Sequence, residues 1–98
     1  MIDKIGAIIL NKNKMLVARE KGLDVFFVPG GKRKQGESDL KALGREILEE
    51  LGTKVRNPKY YKTFFSPTHD GKDKVRVKTY FVDLDGEASP NSEIEELL

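Results

Sequence analysis

Apolar residues fall in short runs along this chain, and once they fall at helical spacing. Residues 4–10, Lys-Ile-Gly-Ala-Ile-Ile-Leu, are branched, apolar and brief, which predicts a buried strand. Asn11-Lys12-Asn13-Lys14 reads as a turn, and residues 15–19 resume an apolar strand, so 4–19 is expected to form a hairpin. Residues 25–28 predict another short strand, ended by Pro29-Gly30-Gly31. Further on, residues 60–65 and 75–84 predict two strands around a polar loop that holds His69, the single histidine, read as a surface residue. In 75–84 apolar residues occupy both registers, Val75, Val77 and Phe81 on one face and Tyr80, Val82 and Leu84 on the other, so both faces expect cover.

The helical pattern spans 39–51. Leu40, Leu43, Ile47, Leu48 and Leu51 recur every three or four residues and make one apolar stripe. Ser38 is placed to cap the start, Asp39 suits the positive end of the dipole, and Gly52 stands where a terminating glycine belongs. Gly44, costly inside a helix, suggests a close approach to a neighbour. On a wheel of about 100° per residue, Glu46, Glu49 and Glu50 fall within about 100° of one another, on the side away from the stripe. Like charges at these spacings repel, so an exposed acidic face is either merely solvated or arranged around a cation. Oxygen ligands with no nearby His or Cys favour a hard ion, Mg²⁺ with Mn²⁺ as the alternative.

Composition narrows the classes. Ninety-eight residues leave room for one domain, 1–98, and one core. The absence of cysteine excludes disulfides, Cys-bound zinc and thiol catalysis, and one histidine excludes a two-His metal site. Apolar runs fall far short of the ~20 residues of a membrane span, and the first residues do not read as a secretory signal. The cytoplasm is the expected compartment, with no membrane partner. Charge is graded: residues 1–36 hold eight Lys/Arg against three Asp/Glu, whereas 83–98 hold six acids and no base. No arginine-rich arm accompanies the basic end, so a small anionic ligand is expected rather than nucleic acid.

Three features weigh against a merely solvated acidic face. Glu37 lies just before the helix, Arg45 beside Glu46, and the glycine turn just upstream. Arg45 can hold a carboxylate in a bidentate pair. Glycines let the backbone approach a metal or phosphate closely, and Lys32, Arg33 and Lys34 can bind phosphate oxygens.

The spacing Gly31-x5-Glu37-x7-Arg45-Glu46-Ile47-x-Glu49-Glu50-x-Gly52-Thr53 resembles the Nudix box, the signature of Nudix hydrolases. Every fixed position matches; the final, usually aliphatic position is Thr53. The preceding Phe27-Val28-Pro29-Gly30-Gly31-Lys32 is also similar to the family. The resemblance implies an α+β Nudix fold, a mixed β-sheet sandwiched between helices (α/β/α), here C-terminally shortened. It implies hydrolysis of the pyrophosphate bond of a nucleoside diphosphate linked to another moiety, such as a nucleoside triphosphate or ADP-ribose. Glu46, Glu49 and Glu50 then match metal ligands, helped by the Gly31 carbonyl, while Glu37 and Arg45 match residues that orient them. Glu46 and Glu50 both remain candidates for the general base. Glu93 or Glu96 is the candidate for a further acid. The shortened end is explained most simply by a longer natural protein with a second helix after Leu98; a chain of only this length is expected to be marginally stable or to pair with another chain, a homodimer in the simplest case.

The group X is not legible. Tyr60, Tyr61, Phe64, Phe65 and Tyr80 could stack on a base, but alternating aromatics read first as core. The competing reading is a catalytically silent Nudix-fold binding domain. Silent versions lose a member of the Glu-Glu or Arg-Glu pair, and this sequence keeps all four residues.

Overall fold

The structure is a computed structural model that describes residues 1–11, 14–20, 26–68, 70–89 and 94–97. Strand β1 (Ile2–Ile8) forms the middle of the fold. It runs parallel to β8 (Lys74–Leu84), from Ile2 opposite Val75 to Ile8 opposite Phe81, and antiparallel to the short β6 (Gly30–Lys32). Strand β7 (Val55–Pro67) pairs antiparallel with β8 and completes a mixed sheet of order β6-β1-β8-β7. Separate small ladders join β2 (Leu10–Asn11) to β3 (Lys14–Met15), and β4 (Ala18–Glu20) to both β5 (Phe26–Phe27) and β9 (Ile94–Leu97).

Helix α1 (Asp39–Leu51) packs on one face of the sheet. Ser38 Oγ accepts from the Lys41 amide at 3.2 Å, and Gly52 turns left-handed at φ 72° while its N–H reaches Leu48 O at 3.0 Å. Both ends are therefore closed as expected, the N-cap alone contributing about 1 kcal/mol. The core is the seam between helix and sheet: Ala42, Leu43, Ile47 and Leu51 from α1, Ile5, Ala7 and Ile9 in and just after β1, and Val82 from β8. These aliphatic side chains hold α1 across β1, and that contact positions everything on the helix's acidic side. Among the described residues, no helix is long and apolar enough to cross a membrane.

Several local expectations need correction. Within 4–19 the antiparallel pairing among the described residues is that of β2 with β3, Leu10 opposite Met15; β1 does not pair with β4, because β8 and β6 take its two edges. Gly30 and Gly31 do not merely end a strand: they are ladder residues of β6. The helix stripe is narrower than predicted, with Leu40 52% and Leu48 49% exposed and Ala42 buried in their place. Gly44 meets nothing within 4 Å, so no close approach explains it. Tyr60, Tyr61, Phe64 and Phe65 are exposed on β7 rather than core, since that strand lies at the sheet edge. On β8, Tyr80, Val82 and Leu84 pack toward the helix-side core, and Val75, Val77 and Phe81 are half-buried on the other face. Val25, His69 and Glu93 lie outside the described residues.

Candidate active site

The acidic side of α1 faces the β6 edge, where the side chains meet around one guanidinium. Arg45 donates from Nε to Glu37 Oε2 at 2.7 Å and from Nη2 to Glu37 Oε1 at 2.9 Å, a fork-to-fork pair. Its Nη1 reaches Glu46 Oε1 at 2.9 Å and Glu49 Oε1 at 3.4 Å, and Nη2 also reaches Lys32 O at 3.1 Å. One cation thus gathers three carboxylates and fixes the backbone at the end of β6. The pairing moves both partners: the hydrogen bonds from Arg45 and then from the Lys34 amide hold the Glu37 carboxyl down at about 2. Glu37, and more weakly Glu46, hold Arg45 above its ordinary value.

Glu50 departs from the wheel prediction. It is only 9% exposed, at the boundary of burial, and its Oε1 accepts from the Gly30 N–H at 2.8 Å. Position 30 must be glycine for steric reasons: φ is +148°, and a Cβ there would stand 2.0 Å from Ile5 O. The main chain can therefore bend close enough for its amide to meet Glu50. At Gly31 the obstacle would be the carboxylate itself, since a Cβ would lie 2.4 Å from Glu46 Oε2. The sequence marked this turn for close backbone approach, but not that Glu50 would be the partner of its amide.

The side-chain donor set around Gly30–Gly31 is hard oxygen throughout, three carboxylates, and so fits a hard divalent cation in chemistry. As the side chains stand, no three described His or acidic groups converge on one point. Glu46 and Glu49 are drawn to Arg45 and Glu50 to Gly30, so a bound cation would compete with the guanidinium for the first two. Glu49, with its side chain 51% exposed, is the freest of the three to turn.

The basic loop divides. Lys32 and Lys34 are exposed at the rim, whereas Arg33 is half-buried and donates to Asp3 Oδ2 at 3.2 Å and to Asp39. Glu96 falls in β9, in register with Arg19 of β4. Two concavities of about 320 and 720 Å³ lie around the far end of β8, and neither is lined by a box glutamate. The carboxylate cluster lies apart from both, with Glu37, Glu46 and Glu50 part-buried at the β6 edge and Glu49 exposed.

These positions coincide with a family pattern. The model of the NUDIX domain matches residues 2–97. The chain belongs to the Nudix family. Over 59 residues it is 39% identical to the 8-oxo-dGTP diphosphatase of Buchnera aphidicola subsp. Schizaphis graminum, a stretch that covers 56% of this chain and 45% of that protein. The match thus spans less than half the length of that relative. The MutT NUDIX hydrolase of Burkholderia pseudomallei shares the fold, with a TM-score of 0.89, 22% identity and coverage of 99% and 80% of the two chains. The E. coli ORF135 protein superposes with a TM-score of 0.83 at 28% identity, covering 99% of this chain and 71% of that one. In this Nudix chain Glu46, Glu49 and Glu50 all lie on helix α1.

Proposed function

We propose that this Nudix chain hydrolyses the pyrophosphate bond of a nucleoside diphosphate linked to another group, with Mg²⁺ bound by Glu46, Glu49 and Glu50. The observation that carries the reading is the gathering of Glu37, Glu46 and Glu49 by Arg45 beside the Gly30–Gly31 backbone, with Glu50 held by the Gly30 amide. Four carboxylates are held near one another at the β6 edge, an arrangement useful where positive charge is to be bound. When bound, the metal would offset the charge of the phosphoryl oxygens and lower the pKa of water.

The chain's own residues divide the remaining work. Arg45 fixes the rotamers of Glu37 and Glu46 and keeps Lys32 O in place. Lys32 and Lys34, exposed beside the cluster, would attract the phosphate oxygens; the guanidinium of Arg33 is already committed to two carboxylates. A water adds to one phosphorus, the bridging P–O bond breaks, and the water's proton passes to a glutamate of the cluster. Exposed aromatics Tyr61 and Phe64, beside Phe81, offer a surface on which a base could stack.

The test is a substrate panel of nucleoside triphosphates, ADP-ribose, dinucleoside polyphosphates and NADH with Mg²⁺, resolving the products. Cleavage within a pyrophosphate that stops on chelation is expected. Failure on every member, with metal bound, would favour the silent binding domain.

A further inference from the structure

Arg33 and Asp39 are not fixed positions of the box, yet they sit in a connected polar network outside the cluster. The Arg33 amide donates to Asp3 O at 3.0 Å. Its guanidinium spans Asp3 on β1 and Asp39 in the first turn of α1. Asp3 also accepts from Arg76 Nε at 2.6 Å, and Asp39 Oδ2 accepts from Tyr80 Oη at 3.0 Å and Lys78 Nζ at 3.4 Å. Burial pushes the Asp39 carboxyl up, and the bonds from Tyr80 and Lys78 outweigh it, so it stays ionised below its ordinary range. Arg33 is therefore tied directly to β1 and α1, and through Asp3 and Asp39 to β8.

Arg33 directly follows β6. Gly30 offers its N–H to Glu50, Gly31 lies against Glu46, and Lys32 O meets Arg45, so three consecutive residues carry the backbone side of the cluster. Strand β6 has only three residues, pairs with β1 alone, and is an edge. A ladder this short does not by itself hold a basic segment against a group of glutamates.

We propose that Arg33 is a positioning residue: with Asp39 and Asp3 it anchors the end of β6 to the start of α1 and so sets the Gly30–Lys32 backbone at the depth where Glu46 and Glu50 can use it. Arg33 does not then bind substrate phosphate. The inference rests on the proposed metal site but not on the identity of the substrate.

The two roles for Arg33 predict opposite outcomes at Asp39. If Arg33 holds phosphate, Asp39→Asn frees its guanidinium and KM falls. If Arg33 is an anchor, Asp39→Asn loosens the same backbone that Arg33→Gln loosens. We expect each variant to weaken Mn²⁺ binding to the substrate-free protein, read by electron paramagnetic resonance titration, by about 10-fold. We expect kcat to fall by a similar factor with KM within about twofold. The double variant should be no worse than the poorer single one, since both break one connection. Arg33→Lys, which keeps the charge but loses the fork, should fall between and remain folded. A lower KM in Asp39→Asn overturns the proposal. So does a drop in melting temperature with unchanged Mn²⁺ affinity, or failure of the unaltered protein to bind Mn²⁺. Variant-dependent Mn²⁺ affinity without hydrolysis of any panel member would sink the substrate reading and leave this one standing.

Discussion

Strands β6 and β7 are the two edges of one sheet, and they solve the edge problem in opposite ways. Strand β6 is three residues long, starts on two glycines, and is crossed by the carboxylates of α1. Strand β7 runs for 13 residues and exposes Tyr60, Tyr61, Phe64 and Phe65. Its outer edge is interrupted by Pro58, by Asn57 at φ 53° and by two shifts of register, and it carries Lys59 and Lys62. Such breaks and charges discourage another chain from pairing there. One edge is short because its backbone groups are used by side chains; the other is long and protected by irregularity. At β6 the Gly30 amide and the Lys32 carbonyl both meet side chains of α1, so small changes there should be costly, whereas β7 should tolerate large ones.

The largest expected effect tests the used edge from the helix side. Glu50→Gln keeps an oxygen for the Gly30 amide but loses the charge. Turnover should drop by about 10²–10³-fold, with stability within about 1 kcal/mol. Near-normal Mg²⁺-dependent turnover in this variant would remove Glu50 from the site.

The two glycines should separate next. Gly30→Ala places a Cβ against backbone in a left-handed conformation, so about 3 kcal/mol of stability should be lost in denaturant melts. In Gly31→Ala the atoms nearest the new Cβ belong to the end of the Glu46 side chain, which can swing away. Its stability should change by less than about 1 kcal/mol while turnover falls about 10–100-fold. Equal stability losses at both positions would mean that Glu46 cannot move.

A pH series sharpens the same contrast. Glu37 ionises at about 2 in the folded chain against an ordinary 4.5, because Arg45 and the Lys34 amide bond its charged form. The folded state therefore binds fewer protons between these values. Its stabilisation is complete above about pH 4.5–5 and is lost as pH falls toward 2. Melting temperature should decline over that window, and Glu37→Gln should flatten the decline. A variant with an unchanged profile would assign the acid sensitivity to the other depressed carboxyls, Asp3, Asp39 and Asp73.

The smallest effect belongs to β7. Phe65, 61% exposed, should be replaceable by Thr with a stability change within about 0.5 kcal/mol. A loss approaching that of Gly30→Ala would end the distinction between the two edges.

Much of this was legible in the sequence. The helix, both of its ends and the run of acids along it follow from residue type and spacing within some twenty positions, because helical geometry is local, whereas the choice of Glu37 as the forked partner of Arg45 was not read from the sequence. The core residues Leu43, Ile47 and Leu51 were readable for the same reason. What spacing could not supply is which strands become neighbours. Residues 2 and 75 pair, and so β1 has no hairpin partner in β4; that choice is made by burial of both faces and not by adjacency in the chain. The same choice leaves β7 at the edge and its aromatics exposed, and lets Leu40 and Leu48 lie beyond the sheet that was expected to cover them. It also brings Asp3, Arg33, Asp39 and Arg76 together from four separate stretches, and the Gly30 amide to Glu50. Residue types alone determined which groups could ionise and chelate; tertiary pairing decided which of them would face one another, because hydrogen bonds and ion pairs act over a few ångströms of space and take no account of distance along the chain.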